Sequence, residues 1–102
     1  MAEDEKIVVR INPDLEDLIP EYQGNRHRDI QFISEALQKG DYETVRILGH
    51  NMKGSGEGYG FETITAIGRS IEQAAKDRNP QEINRQIQEL FSYLEKVEVV
   101  HD

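Results

Sequence analysis

The sequence predicts an all-α fold, an antiparallel up-down four-helix bundle with a kinked or broken first helix. Apolar residues recur at helical spacing in four separate stretches, and the connections between them are short. Strand-like alternation occurs once, over Ile7, Val9 and Ile11, and a single strand has no partner, so no α/β reading follows. A length of 102 residues fits one domain with one modest core.

Residues 1–12 lack helical periodicity and open on an acidic cluster; they read as a flexible arm, with Ile7, Val9 and Ile11 extended against the core. The bundle then occupies residues 13–100. Asn12-Pro13 has the form of a helix start, with Asn as the cap and Pro in the first turn. Leu15, Leu18, Ile19 and Tyr22 follow at helical spacing, Pro20 and Gly24 interrupt, and Ile30, Ile33, Ala36 and Leu37 resume the pattern. Gly40 is the expected stop, so the broken first helix spans about residues 13–38.

Asp41 caps a second helix with Tyr42, Val45, Leu48 and Met52 on its inner face. Gly54, Gly56, Gly58 and Gly60 are expected to end it. A third helix carries Ile64, Ile67, Ile71, Ala74 and Ala75 and stops before Asn79-Pro80. Pro80 opens a fourth, on which Ile83, Ile87, Leu90, Phe91, Leu94 and Val97 form the clearest apolar stripe in the chain.

Composition excludes several kinds of chemistry. The chain has no cysteine, which removes disulfides, thiolate zinc sites and thiol catalysis. A net charge of −8 opposes binding to a phosphate backbone, so no nucleic-acid partner is expected. The longest aliphatic run, Ile7-Val8-Val9, is far short of the roughly 20 apolar residues of a membrane span. The acidic, polar first residues do not resemble a signal peptide, and a cytoplasmic monomer is the expectation. The order Lys53-Gly54-Ser55 is not that of a P-loop, and the glycines from 54 to 60 do not form a dinucleotide-binding fingerprint.

Three histidines remain. His27, among charged neighbours, and His101, near the last residue, read as solvated surface imidazoles. His50 differs. Val45, Leu48 and Met52 fix the inner face of the second helix, and His50 lies about 200° around the helix from both Leu48 and Met52. It therefore points to solvent, with Arg46, Ile47, Lys53 and Gly54 as its neighbours three and four positions away. Lys53 can bring an ammonium beside anything attached to the imidazole, and Gly54 removes side-chain bulk from the same face. A neutral imidazole with a cation one turn away and a cleared approach is suited to accept a phosphoryl group and hand it on.

The run Leu48-Gly49-His50-Asn51-Met52-Lys53-Gly54-Ser55, followed by Tyr59-Gly60-Phe61, resembles the histidine-containing phosphotransfer (HPt) domain. That family has a lysine three, a glycine four, a small residue five and a glycine ten positions after its histidine, and here these are Lys53, Gly54, Ser55 and Gly60. Ser70-Ile71-Glu72-Gln73-Ala74-Ala75 is similar to the family's third helix. Two departures stand out: alanine commonly precedes the histidine where this chain has Gly49, and the serine- and alanine-rich stretch after the motif is here Gly56-Glu57-Gly58.

The resemblance implies a carrier within a two-component phosphorelay, phosphorylated on His50, with Lys53 steadying the phosphoryl group and Gly54 admitting the partner. It implies receiver domains of response regulators, or a hybrid histidine kinase, as partners. It implies no cofactor of the chain's own, Mg²⁺ being supplied by the receiver, and no autonomous kinase activity. Arg46, Ile47, Asn51, Glu57 and Phe32 are the residues expected to face the partner. For Arg46 the competing reading is an ion pair with Glu43, and for Ile47 it is packing at the core edge. The competing function is a non-catalytic helical adaptor that binds a receiver or kinase without phosphotransfer.

Overall fold

The computed structural model describes residues 6–101, with the His101 side chain outside the description, as is residue 102. The order is β1 (Ile7–Ile11), a 3₁₀ segment (Pro13–Leu18), α1 (Ile19–Gln38), α2 (Tyr42–Gly58), α3 (Glu62–Lys76), α4 (Pro80–Lys96) and β2 (Val97–His101). The fold is mostly helical. Each helix packs on the next, and α4 returns to α1, so the four enclose one core. Ile33, Val45, Met52, Phe61, Ile64, Ile71, Ile83 and Leu90 are its fully buried members. No helix among the described residues is long and apolar enough to cross a membrane.

The helix starts have local causes. The Asn12 side chain accepts from the Asp14 N–H at 2.9 Å, that of Asp41 from Thr44 at 3.1 Å and that of Asn79 from Glu82 at 3.1 Å, each satisfying an amide that the helix cannot. The break in the first helix falls earlier than the sequence suggests. Pro13–Leu18 is 3₁₀, and Pro20 stands in the first turn of α1, where a missing N–H costs nothing. The helix then runs unbroken through Gly24.

Helix α2 ends inside the glycine run, as expected, but only at Gly58, after passing through Gly54 and Gly56. Tertiary packing overrides propensity here. A Cβ on Gly56 would lie 2.7 Å from the Thr65 backbone nitrogen and 2.9 Å from the Phe61 carbonyl, so the glycine lets α3 close on the helix that it would otherwise weaken. Gly60, at φ +89°, makes the turn.

The second correction concerns the arm. Ile7–Ile11 is a strand, and its parallel partner is Val97–His101, in a register that joins Ile7 to Val97 and Ile11 to His101. The partner went unread because nearly the whole chain separates the two segments, and Val97 also continues the stripe of α4. Ile11 is 1% exposed and anchors the ribbon; Val9, Val97 and Val99 pack against the same core. The acidic cluster of residues 1–5 lies outside the described residues. Phe91, read as part of the α4 stripe, is 51% exposed, while Tyr93 takes a buried place instead.

Candidate functional site

Burial of Val45 and Met52 rotates His50 and Lys53 outward on α2, as the periodicity requires. Their side chains are 59% and 34% exposed. What periodicity does not give is the group that joins them. Glu72, on α3, spans the two: one carboxylate oxygen lies 3.0 Å from His50 Nδ1 and the other 2.9 Å from Lys53 Nζ. Its own side chain is only 10% exposed.

The charge state follows. The hydrogen bond from Lys53 does most to hold the Glu72 carboxyl below the usual range, burial opposes it, and His50 adds to the lowering. The carboxylate is ionised at neutral pH and only accepts, so Nδ1 carries the imidazole proton and donates it. In the neutral ring the lone pair is then on Nε2, and the His50 side chain is exposed. A carboxylate behind an imidazole in this way fixes the tautomer and offsets positive charge that develops on the ring. The arrangement can make Nε2 a nucleophile, with an ammonium held by the same carboxylate.

The remaining motif residues divide by role. A Cβ on Gly54 would meet nothing within 4 Å, so the approach past Lys53 is open. Ser55 turns inward to α1: Arg26 Nη1 donates to its hydroxyl at 3.0 Å, the Tyr22 hydroxyl lies 3.1 Å from it, and it donates to the Met52 carbonyl at 3.4 Å. Tyr22 stacks with Tyr59 and with Phe61, with ring centroids 4.3 and 5.5 Å away, and the Arg26 guanidinium lies over its ring. Arg26 also pairs with Asp29 at 2.8 Å. This cluster fixes α1 against the site helix. Gly60 makes room for β1, since a Cβ there would come within 2.8 Å of Ile11 Cδ1.

The five expected partner-facing residues are scattered. Asn51 is exposed beside His50, and Ile47, one turn before it, is 45% exposed. Arg46 is held by Glu43, with Nε 2.7 Å from the carboxylate, so the ion pair forms. Phe32 is 52% exposed on α1, where it lines a shallow groove with Lys39, Thr44 and Leu48. Glu57 lies toward the other end of α2, in a groove with Glu62 and Arg69. His27 is exposed, as expected, and meets the edge of Phe91 at 6.2 Å.

Glu72 is the site residue that sequence reasoning did not assign. Beyond the similarity of residues 70–75 noted above, its signal is position: an acid directly after the buried Ile71 and two residues before the buried Ala74 stands on the flank of an apolar stripe, where a charge needs a partner. Comparison of the chain with protein-family models, curated proteins and solved structures gives no match.

Proposed function

We propose that the chain is a histidine phosphotransfer domain, an antiparallel up-down four-helix bundle that carries a phosphoryl group on His50. The observation that carries this reading is the Glu72 carboxylate bridging Nδ1 of the exposed His50 and Lys53 Nζ, which leaves Nε2 out of the bridge. The motif spacing from His50 to Gly60 supports it independently. The reverse order of contacts along α2 and α3, with Gly49 against Gly68 and Gly56 against Phe61 and Thr65, supports the antiparallel arrangement of that pair.

In the step proposed, Nε2 attacks the phosphorus of an aspartyl phosphate on a receiver domain, whose Mg²⁺ assists. The N–P bond forms as the bond from phosphorus to the carboxylate oxygen breaks, and the aspartate leaves as a carboxylate. The ring retains its Nδ1 proton and becomes cationic, which Glu72 offsets, while Lys53 offsets charge on the phosphoryl oxygens. The reverse step hands the group to another receiver. A histidine kinase is the alternative donor, and the chain supplies no kinase activity of its own. It acts as a cytoplasmic monomer.

The test is labelling from an acetyl-phosphate-charged receiver with Mg²⁺. Acid-labile, alkali-stable phosphate is expected on the wild type and not on His50→Gln. Tight receiver binding with no label on either protein would replace phosphotransfer with the adaptor reading.

A further inference from the structure

The His50–Glu72–Lys53 bridge crosses between two helices, so its length depends on how closely their backbones approach. A Cβ on Gly49 would lie 2.7 Å from the Glu72 backbone nitrogen and 3.0 Å from the Gly68 carbonyl oxygen. A Cβ on Gly68 would lie 2.5 Å from the Lys53 nitrogen, 3.0 Å from its Cα and 2.8 Å from the Gly49 carbonyl oxygen. Apart from Ile71 Cγ2, 3.0 Å from the Gly49 position, the atoms in the way are backbone and cannot rotate aside. Each glycine faces the main chain of a residue in the bridge, and Gly49 directly precedes the third.

We infer that Gly49 and Gly68 are positioning residues for the phosphoryl site: their missing methyl groups set the α2–α3 separation at which one carboxylate reaches both His50 and Lys53. This rests on the phosphotransfer reading for its consequence, though not for its geometry. Alanine at either position forces the helices apart by roughly half to one ångström before normal contact is restored. The bridge now sits at hydrogen-bonding length. Its two contacts are 3.0 and 2.9 Å, and a separation of about 3.6 Å is no longer a hydrogen bond. Loss of the carboxylate from Nδ1 frees the ring to change tautomer and leaves the developing positive charge unopposed.

Gly56 provides the internal comparison. It closes the same seam, with a Cβ that would lie 2.7 Å from the Thr65 nitrogen, but the backbone that it meets belongs to no residue of the bridge. The experiment compares wild type with Gly49→Ala, Gly68→Ala and Gly56→Ala, using thermal melting to establish folding. The first readout is the imidazole ¹⁵N spectrum of His50, taken where the ring is neutral. The second is the rate of phosphohistidine formation from phosphoramidate, a small donor that requires no protein partner and releases ammonia as the phosphoryl group moves to nitrogen.

The wild type is expected to hold its ring proton on Nδ1. Gly49→Ala and Gly68→Ala lose that preference and label about tenfold more slowly. Gly56→Ala melts earlier, with tautomer and rate unchanged. Wild-type tautomer and rate in both Gly49→Ala and Gly68→Ala overturn the inference, as does an equal change in Gly56→Ala. Should the first two fail to fold, Glu72→Asp withdraws the carboxylate by one methylene with both glycines in place. It is expected to lose the Nδ1 preference, and a wild-type tautomer there overturns the inference. If phosphoramidate labels no protein while the tautomer pattern holds, the phosphotransfer reading fails and the positioning role stands.

Discussion

Gly49 and Gly54 lie five residues apart on one helix, and their surroundings are opposite. Position 49 is closed by α3, whereas position 54 opens to solvent beside Lys53. A side chain at 54 therefore costs the fold little and gains helix propensity, up to about 1 kcal/mol. Gly54→Leu is expected to weaken receiver affinity with little change in the denaturation midpoint; unchanged affinity would remove Gly54 from the docking surface. Lys53→Ala is expected to slow transfer or shorten phosphohistidine lifetime while the bundle stays folded, as read from transfer kinetics alongside a melting curve. His50 and Lys53 were legible in the sequence because a helix period and three core residues suffice to place them. Glu72 was not, because its pairing spans 22 residues and depends on two helices approaching without side chains between them.

At the scale of the elements, starts were easier to read than stops. Asn12, Asp41 and Asn79 act through bonds to amides two or three residues on, and sequence shows such neighbours directly. Intrinsic propensity places a stop in the run from Gly54 to Gly60 without saying where, and the packing of Gly56 carries the helix on to Gly58. Gly24 carries no such duty: it lies within α1, and a Cβ there would meet nothing within 4 Å. Gly24→Ala is accordingly expected to raise stability by about 0.5–1 kcal/mol in urea denaturation. The ribbon gives the opposite sign. Ile11 is 1% exposed and Val8 is 59% exposed on the same strand. Ile11→Ala is expected to cost about 2–5 kcal/mol and Val8→Ala within about 0.5 kcal/mol, by the same measurement. Comparable losses at both positions would mean that the outer face of the ribbon is covered as well.

Across the whole molecule, charge is unevenly distributed. Residues 42–79, which carry the site, hold five basic and five acidic side chains, so the net charge of −8 resides in the rest of the chain. The segment that carries His50 is thus neutral within an acidic protein. Acid should act through particular carboxylates. Glu72 is lowered by Lys53, against burial, and then by His50; Glu82 is lowered to about 2 by Arg85 and then Gln86. Each stabilises the fold above the ordinary glutamate value of 4.5, and that contribution disappears as pH falls through the lower folded value. Asp29 has the opposite sign: burial outweighs the attraction of Arg26 and raises it, so protonation there favours the folded state. Stability followed by denaturation across pH is expected to decline from about 4.5 toward 2, and Glu82→Gln should remove the lowest part of that decline. An identical profile in Glu82→Gln would show that its pairing does not persist in solution.

The parallel ribbon also determines how the molecule bears a pulling force. Because Ile7 pairs with Val97 and Ile11 with His101, the chain enters the ribbon at one end and leaves at the other, about 13 Å away. Opposed tension on the two chain ends therefore slides the strands lengthwise past each other and loads their backbone hydrogen bonds together, whereas strands peeled from one end yield one bond at a time. The four helices lie between the strands in sequence and outside the direct line of force. A ribbon too short to be stable alone thus becomes the first barrier to mechanical extension, and the bundle uncoils only after it slips.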